Sequence, residues 1–100
     1  MKADEFLVWV IYDISRDKAR GKVAKACKAA GLYRVQLSAY VGAINSNTLD
    51  ELALRIEDLI EETDRAYLFP MCEADFKKCR LLGEGFDKDL VRDDLLELIL

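Results

Sequence analysis

The sequence predicts an α+β fold: one antiparallel sheet of four strands with two helices packed on one of its faces. Three observations predict it. The run over residues 5–13 is apolar at nearly every position, which is typical of a strand covered on both sides. Apolar residues recur at helical spacing over 16–30 and 49–62, and strand-like segments follow each of these helices. The order strand, helix, two strands, helix, strand is that of the ferredoxin-like sandwich.

The first strand and the first helix have clear boundaries. The strand ends in Asp13, and because both of its faces are apolar we expect it at the centre of the sheet. Ser15 is expected to cap the following helix, with the acidic Asp17 in its first turn. The helix is expected to end near Ala30, since Gly31 is a fitting C-terminal glycine.

The segment 32–44 is long for a single strand. We therefore predict two short strands with a bend near residues 36–38. Thr48 and Glu51 have the spacing of a capping box at the start of the second helix, which is expected to run to about Glu62.

The last elements of the domain are shorter. Residues 65–71 read as a strand, and its Pro70 is compatible only with a strand end or a sheet edge. A helical turn over 72–77 is predicted to lead into a small strand over 79–82, which Gly83 ends.

The tail, residues 84–100, is expected to be separate from the ferredoxin-like domain at 1–83. It is too apolar to stay in water, and in so small a protein we expect it to pack against a second subunit. As a helix, its residues 91, 95, 98 and 99 form a stripe. As a strand, 95–100 would be nearly all buried, and periodicity does not choose between the two.

The composition indicates a cytoplasmic protein. With 100 residues, 52% of them hydrophobic and 34% charged, the chain is long enough for one globular domain and too apolar for disorder. It contains no apolar run near the roughly 20 residues of a membrane helix. The first residues carry acids and no cleavage pattern, so a secretory signal is not expected.

A basic field follows the acid at the end of the first strand. The net charge is −4, but residues 1–45 hold eight Lys/Arg and four Asp/Glu, whereas 46–100 hold seven and fifteen. One fixed acid in a positive field suggests a metal ion and a polyanion such as nucleic acid. The alternative is a basic helix face that is only solvated. The field consists of Arg16, Lys18, Arg20, Lys22, Lys25, Lys28 and Arg34.

The chain contains no histidine, which excludes imidazole catalysis, imidazole metal sites and the usual serine and cysteine triads. Any chemistry must rest on carboxylates, a metal, or Lys, Tyr and Cys. The three cysteines, at 27, 72 and 79, lack close-pair spacing, so we expect reduced thiols with a packing role.

Three segments carry a resemblance to a known family. Val10-Ile11-Tyr12-Asp13-Ile14, then residues 20–25, then the segment 31–40 with its Arg-Val-Gln-Leu-Ser run, resemble the CRISPR-associated protein two family, the small partner of the CRISPR integrase in spacer acquisition. Residues 65–68 and 81–83 resemble the family's later motifs. The resemblance covers about residues 6–83 in the right order.

The resemblance implies a ferredoxin-like homodimer whose two sheets face each other, with a C-terminal strand reaching onto the partner's sheet. It implies that Asp13 is the catalytic residue and metal ligand, with the two copies holding one Mg²⁺ or Mn²⁺. The implied activity is metal-dependent endonuclease cleavage of single-stranded RNA or double-stranded DNA. For other members of the family, the implied role is that of a non-catalytic scaffold that bridges DNA in the integrase complex.

Six residues are expected to bind nucleic acid. Tyr12, Arg20 and Arg34 match family positions, and Arg16 belongs to the basic field. Lys22 stands where many members have Arg, and Tyr40 where many have Phe. Both departures, together with Val41 where an acid is common, bear on cleavage more than on binding, because a backbone contact needs only charge.

Alternatives remain open at this stage. Asp13 could simply cap the next helix, and the tyrosines could only fill an interface. The protein could be the scaffold rather than the nuclease, or a regulatory or toxin-type dimer outside CRISPR systems. The sequence does not determine whether the substrate is RNA or DNA. It also does not identify the metal or the surface that docks the integrase.

Overall fold

The computed structural model describes residues 2–83. Its elements confirm the predicted order of strands and helices, with a short third helix after the last strand. The predicted tail at 84–100 lies outside the described residues. The elements are β1 (Glu5–Asp13), α1 (Asp17–Ala29), β2 (Tyr33–Gln36), β3 (Ala39–Asn45), α2 (Ser46–Leu59), β4 (Arg65–Met71) and α3 (Glu73–Lys77).

The four strands form one antiparallel sheet in the order β2-β3-β1-β4. β1 lies between β3 and β4, which confirms the central position predicted from its apolarity. β4 is an edge strand, which is where a sheet tolerates a proline such as Pro70. The register shifts between Arg34 and Gln36, so the predicted bend is also confirmed.

One face of the sheet packs against both long helices. Alternate residues of β1, Val8, Val10 and Tyr12, are buried there against Val23 of α1 and Ile56 of α2. This cluster is the main core, and it follows from period-two alternation on the strand meeting 3.6-residue periodicity on the helices. The two-helix layer predicted from the sequence is therefore confirmed.

The opposite face is only partly covered. Leu7 and Trp9 of β1 are buried there, and Phe76 of α3 lies over Trp9 with ring centroids 6.1 Å apart. Farther along the same face, Tyr67 and Phe69 of β4 stack on each other at 5.9 Å and remain nearly half exposed. We call this surface the open sheet face.

Both predicted helix caps are wrong. The N-cap of α1 is Arg16, which makes no side-chain capping bond. Ser15 instead directs its hydroxyl to the Asp64 carboxylate, 3.3 Å away, because that acid lies beside the loop. At α2 the cap is Asn45, whose Oδ1 accepts from the Thr48 amide at 2.8 Å. In each case the residue predicted to cap the helix instead donates a hydrogen bond to another side chain: Ser15 to Asp64, and the Thr48 amide to Asn45.

Two boundaries also differ from expectation. α2 ends at Leu59 rather than near Glu62, and the Asp64 carboxylate accepts from the Glu61 amide in the loop that follows. Residues 79–82 form no strand. The Cys79 amide donates to the Phe76 carbonyl at 3.0 Å, so the α3 turn uses the group that would begin a sheet ladder.

Two glycines permit the close packing of the loop after α1 on β3. Gly31 has φ of 98°, which confirms the predicted C-terminal glycine of the first helix. A Cβ on Gly42 would lie 2.9 Å from Leu32 Cδ2 and 3.1 Å from the Gly31 carbonyl. Any side chain at 42 would push apart the strand and the loop that leaves α1.

A matched pair of leucines tests the core. Leu7 is fully buried in the central strand, whereas Leu54 of α2 is 63% exposed. Leu7→Ala should lower the free energy of unfolding by about 2–5 kcal/mol, because it removes buried apolar surface and leaves a cavity. Leu54→Ala should change it by less than about 0.5 kcal/mol. Urea unfolding at one fixed protein concentration measures both, and equal losses would contradict the assignment of the core.

Candidate nucleic-acid and metal site

An open groove of about 530 Å³ lies where β1 ends, between α1 and the β2–β3 side of the sheet. α1 forms one wall, and β2, the turn after it and the start of β3 form the other. Five of the predicted site residues line this groove: Tyr12, Asp13, Arg20, Arg34 and Tyr40.

Asp13 is the last residue of β1 and is exposed. It lies opposite Arg65 of β4 in the strand register and on the alternate set of β1 positions that faces the open sheet face. Its carboxylate therefore stands at the corner between the groove and that face. The sheet holds its backbone, which keeps the acid in place on a rigid element.

Arg20 holds the loop between Asp13 and α1. Its guanidinium donates to the carbonyls of Ile14 at 3.0 Å and Ser15 at 3.2 Å, and it pairs with Asp17. Because these partners already occupy the group, Arg20 acts first as a tether of the loop. Asp17 is correspondingly neutralised within the groove.

Arg34 and Tyr40 are directly opposite each other on β2 and β3. Arg34 is exposed and Tyr40 is fully buried, with its ring beside that of Tyr12 at a centroid distance of 6.3 Å. The Tyr12 hydroxyl donates to the Leu37 carbonyl at 3.4 Å. The phenol rings of Tyr12 and Tyr40 thus form the floor of the groove, beneath the exposed guanidinium of Arg34.

Burial changes the acidity of the groups behind the groove. It raises the pKa of Tyr12 well above the usual range, and the neighbouring Tyr40 adds to that shift. Burial likewise raises the pKa of Tyr40, against the opposing effect of Arg34. The pKa of the buried Cys27 thiol is raised to about 12 by burial. At neutral pH all three groups are protonated, so they are not bases or nucleophiles.

The remaining predicted residues lie outside the groove. Arg16 pairs with Glu61 at 3.3 Å, both side chains being exposed, and Lys22 is exposed on α1. Lys28 was not among the predicted site residues, yet it lines the groove. The sequence could have indicated this position for Lys28, because Arg20, Ala24 and Lys28 are spaced four residues apart and therefore share one face of the helix with Gly21.

Asp64 is a second residue that sequence reasoning missed. It is 7% exposed and accepts from the Glu61 amide at 2.9 Å and the Ser15 amide at 3.2 Å. These amides lower the pKa of its carboxyl. Asp64 thereby joins the loop after β1 to the loop before β4. The contact with Ser15 spans 49 residues of sequence, so no local pattern could have identified it.

Within the described residues, the donors of one chain are too few for a metal site of their own. Over residues 2–83, no cluster of three or more His, Cys, Asp or Glu side chains has the arrangement of a metal site. Mg²⁺, however, often binds one or two carboxylates and keeps several waters. The exposed Asp13 fits that requirement if a second copy supplies another carboxylate.

Comparison with known proteins identifies the family. The model of the family described as CRISPR associated protein Cas2 matches residues 6–79. This chain belongs to the Cas2 family. The resemblance of residues 6–83 to this family is therefore confirmed.

Relatives of the Cas2 family cover most of the chain. A protein of Korarchaeum cryptofilum named CRISPR-associated endoribonuclease Cas2 is 37% identical over 87 residues, 85% of this chain and 92% of its own. Streptococcus pyogenes Cas2, crystallised at pH 6.5, superposes with a TM-score of 0.67 and 25% identity over 77% of this chain and 99% of its own.

A third relative joins two proteins. A Thermoproteus tenax protein named CRISPR-associated endonuclease Cas1/endonuclease Cas2 fusion is 47% identical over 49 residues, 49% of this chain and 19% of the fusion. In that protein a Cas2 segment is covalently tied to Cas1.

Asp64 generates a prediction about stability and pH. Folding lowers the pKa of Asp64, so its carboxylate stabilises the folded state fully at a pH above its unfolded-state pKa of about 4. This stabilisation is lost as the pH falls through the lower pKa of the folded state. Asp64→Asn should therefore melt at a lower temperature than the wild type at pH 7, and the difference should narrow on acidification.

Asp58→Asn, an exposed acid of α2, is the matched control and should melt like the wild type. Thermal unfolding followed by circular dichroism between about pH 7 and pH 2 makes the comparison. A constant difference between Asp64→Asn and wild type across this range would contradict the role of the ionised carboxylate.

Proposed function

We propose that this chain is a cytoplasmic CRISPR spacer-acquisition protein that acts as a homodimeric, metal-dependent endonuclease on RNA or double-stranded DNA. The observation that carries the proposal is Asp13, an exposed carboxylate at the end of the central strand beside a groove lined by cations. Relatives named endoribonuclease support the reaction class. Over residues 2–83, no helix has both the length and the apolarity to cross a membrane.

Asp13 would hold the metal, Mg²⁺ or Mn²⁺. A bound divalent cation supplies a more acidic water and offsets negative charge on the phosphate. The phenols of Tyr12 and Tyr40 are protonated at neutral pH and take no proton, and Asp17 is paired with Arg20. Among residues 2–83, Asp13 is thus the carboxylate of the groove lining that has no ion-pair partner.

The basic residues have separate tasks in this proposal. Arg34 offers an exposed, planar guanidinium that can bind two oxygens of one phosphate. Arg20 holds the loop next to Asp13 and so fixes the position of the acid relative to α1. Lys22 and Arg16 lie outside the groove, where they would neutralise more distant phosphates of the strand.

The open sheet face is the proposed dimer contact. Ile11, Tyr67 and Phe69 are each more than 40% exposed on it, and an apolar hollow of about 470 Å³ lies beside them between Trp9 and Leu81. An apolar face of this kind is typical of a protein interface. Because Asp13 shares this face, covering it with a second copy would bring two carboxylates together.

The integrase is the proposed larger partner. The fusion relative, in which Cas1 and Cas2 are one chain, supports such an association. We place the integrase on the acidic surface of α2. This surface is separate from the groove and from the open sheet face, so nucleic acid, integrase and the second subunit would each have their own site.

Replacing Asp13 tests the nuclease. Asp13→Asn should reduce the rate of cleavage by about 100-fold or more. Loss of a group that only hydrogen-bonds to a metal ligand already lowers activity by roughly 10–100-fold, and Asp13 would be the ligand itself. Labelled single-stranded RNA and duplex DNA, each with Mg²⁺, with Mn²⁺ and with chelator, measure the rates. Asp4→Asn, an acid at the far end of β1, should cleave like the wild type. Equal cleavage by Asp13→Asn and wild type would refute the proposal.

Replacing Phe69 tests the dimer. Phe69→Glu puts a charge into the open sheet face and should convert the dimer into a monomer, because the buried charge has no partner. Leu54→Glu, on the exposed side of α2, should leave the dimer intact. Light scattering coupled to gel filtration gives the mass, and circular dichroism verifies that both variants fold. A dimeric Phe69→Glu protein would contradict the assigned face.

A further inference from the structure

The loop that follows Asp13 leaves the sheet at the end of a ladder. Asp13 and Arg65 form the last residue pair between β1 and β4. The end pair of a ladder opens most readily, because no further pair follows it. The position of the Asp13 carboxylate therefore depends on what holds the residues just beyond this pair, which include Ser15 on one chain segment and Asp64 on the other.

The Asp64 carboxylate joins these two segments. Its Oδ1 accepts from the Ser15 amide at 3.2 Å and from the Ser15 hydroxyl at 3.3 Å, and its Oδ2 accepts from the Glu61 amide at 2.9 Å. The residue is 7% exposed. Burial of a carboxylate is costly unless hydrogen bonds offset it, so three donors hold this group in one arrangement. Because both of its oxygens are occupied, Asp64 supports the loop and is not itself free to bind an ion.

A cation holds the same loop through its carbonyls. The Arg20 guanidinium donates to the carbonyls of Ile14 at 3.0 Å and Ser15 at 3.2 Å, and the Ile14 side chain is buried in the main core. The amide, the hydroxyl and the carbonyl of Ser15 are thus all bonded to charged groups, which form the stronger hydrogen bonds. Loss of the acid would leave the Arg20 bonds and the Ile14 side chain to fix the segment between Asp13 and α1.

We propose that Asp64 is a positioning residue for the metal site: by binding Ser15 it keeps the last pair of the β1–β4 ladder closed and so fixes the Asp13 carboxylate. This inference rests on the proposed function, in which Asp13 is the metal ligand. A divalent cation shared by two copies would need both carboxylates in place, so a loosely held Asp13 in each copy would weaken its binding. Groups that orient a metal ligand without touching the metal have effects of this kind.

Binding of Mn²⁺, measured by isothermal titration calorimetry, tests the role of Asp64 without cleavage. Asp64→Asn keeps one acceptor oxygen but turns an NH₂ group toward an amide donor, so it should weaken Mn²⁺ binding by about tenfold. Ser15→Ala loses the hydroxyl bond and keeps the amide bond, so it should weaken binding by less than about threefold. Asp58→Asn removes the same charge from an exposed position of α2 and should bind Mn²⁺ like the wild type. Equal affinities in Asp64→Asn and Asp58→Asn would exclude the positioning role.

Hydrogen exchange followed by NMR, without metal, distinguishes a local role from a general loss of stability. Asp64→Asn should accelerate exchange of the Ser15 amide by a factor at least about tenfold larger than that at Val10, in the middle of β1, because the end of the ladder opens locally. A variant that was merely less stable would accelerate exchange at both positions by the same factor, through global unfolding. That result, or an unchanged rate at Ser15, would overturn the proposal.

Cleavage at increasing Mn²⁺ concentration separates Asp64 from Asp13. The activity lost in Asp64→Asn should be largely restored when Mn²⁺ is raised about tenfold, because the ligand is still present, whereas Asp13→Asn should stay inactive. If Asp13→Asn is inactive, yet Asp64→Asn needs no more Mn²⁺ than Asp58→Asn, the nuclease stands and the positioning role does not. If the wild type binds Mn²⁺ through Asp13 without cleaving, and Asp64→Asn weakens that binding, the positioning role stands and the nuclease does not.

Discussion

The burial of the middle of β1 is the constraint on which the other elements depend. Both edges of this strand are hydrogen-bonded, to β3 and β4, and both of its faces are covered over residues 7–10. The helices pack on one set of alternating residues, and α3 with Phe76 covers Trp9 on the other. A strand held in this way has no freedom to slip, since a one-residue shift would expose the whole core set. Its last residue, Asp13, is consequently fixed in position.

Polar contacts hold the chain where the apolar packing stops. After Asp13, Arg20 is bound to two carbonyls of the loop and to Asp17, and Asp64 accepts from the loop and from the segment before β4. These contacts are made by charged groups, which form stronger hydrogen bonds than neutral ones. They hold the loop between β1 and α1, which borders the groove. Arg20, which the sequence suggests as a phosphate binder, thus also has a structural role.

The groove combines exposed cations with protonated phenols and with Asp13, a carboxylate that has no ion-pair partner in the described part of the chain. Such a site is suited to a strand of nucleic acid, which brings its own negative charge and many oxygen acceptors, and to a hard cation with oxygen ligands. The exposed apolar residues of β4 and β1 lie beside it on the open sheet face. The proposed metal ligand and the proposed dimer contact are therefore adjacent in this fold, so a change in that contact is expected to alter the position of Asp13.

The sequence by itself determined the element order, the central place of β1, the edge position of Pro70, the glycine end of α1 and the grouping of Asp13 with Arg34 and the tyrosines. These features follow from periodicity, backbone restriction and family resemblance, which are local or linear properties. Only the tertiary structure decided which polar groups are already occupied: Arg20 by its loop, Arg16 by Glu61, and Ser15 by Asp64 instead of the helix end. It also placed Lys28 in the groove. Hydrogen bonds between residues far apart in the chain depend on three-dimensional proximity, and no spacing along the sequence encodes that proximity.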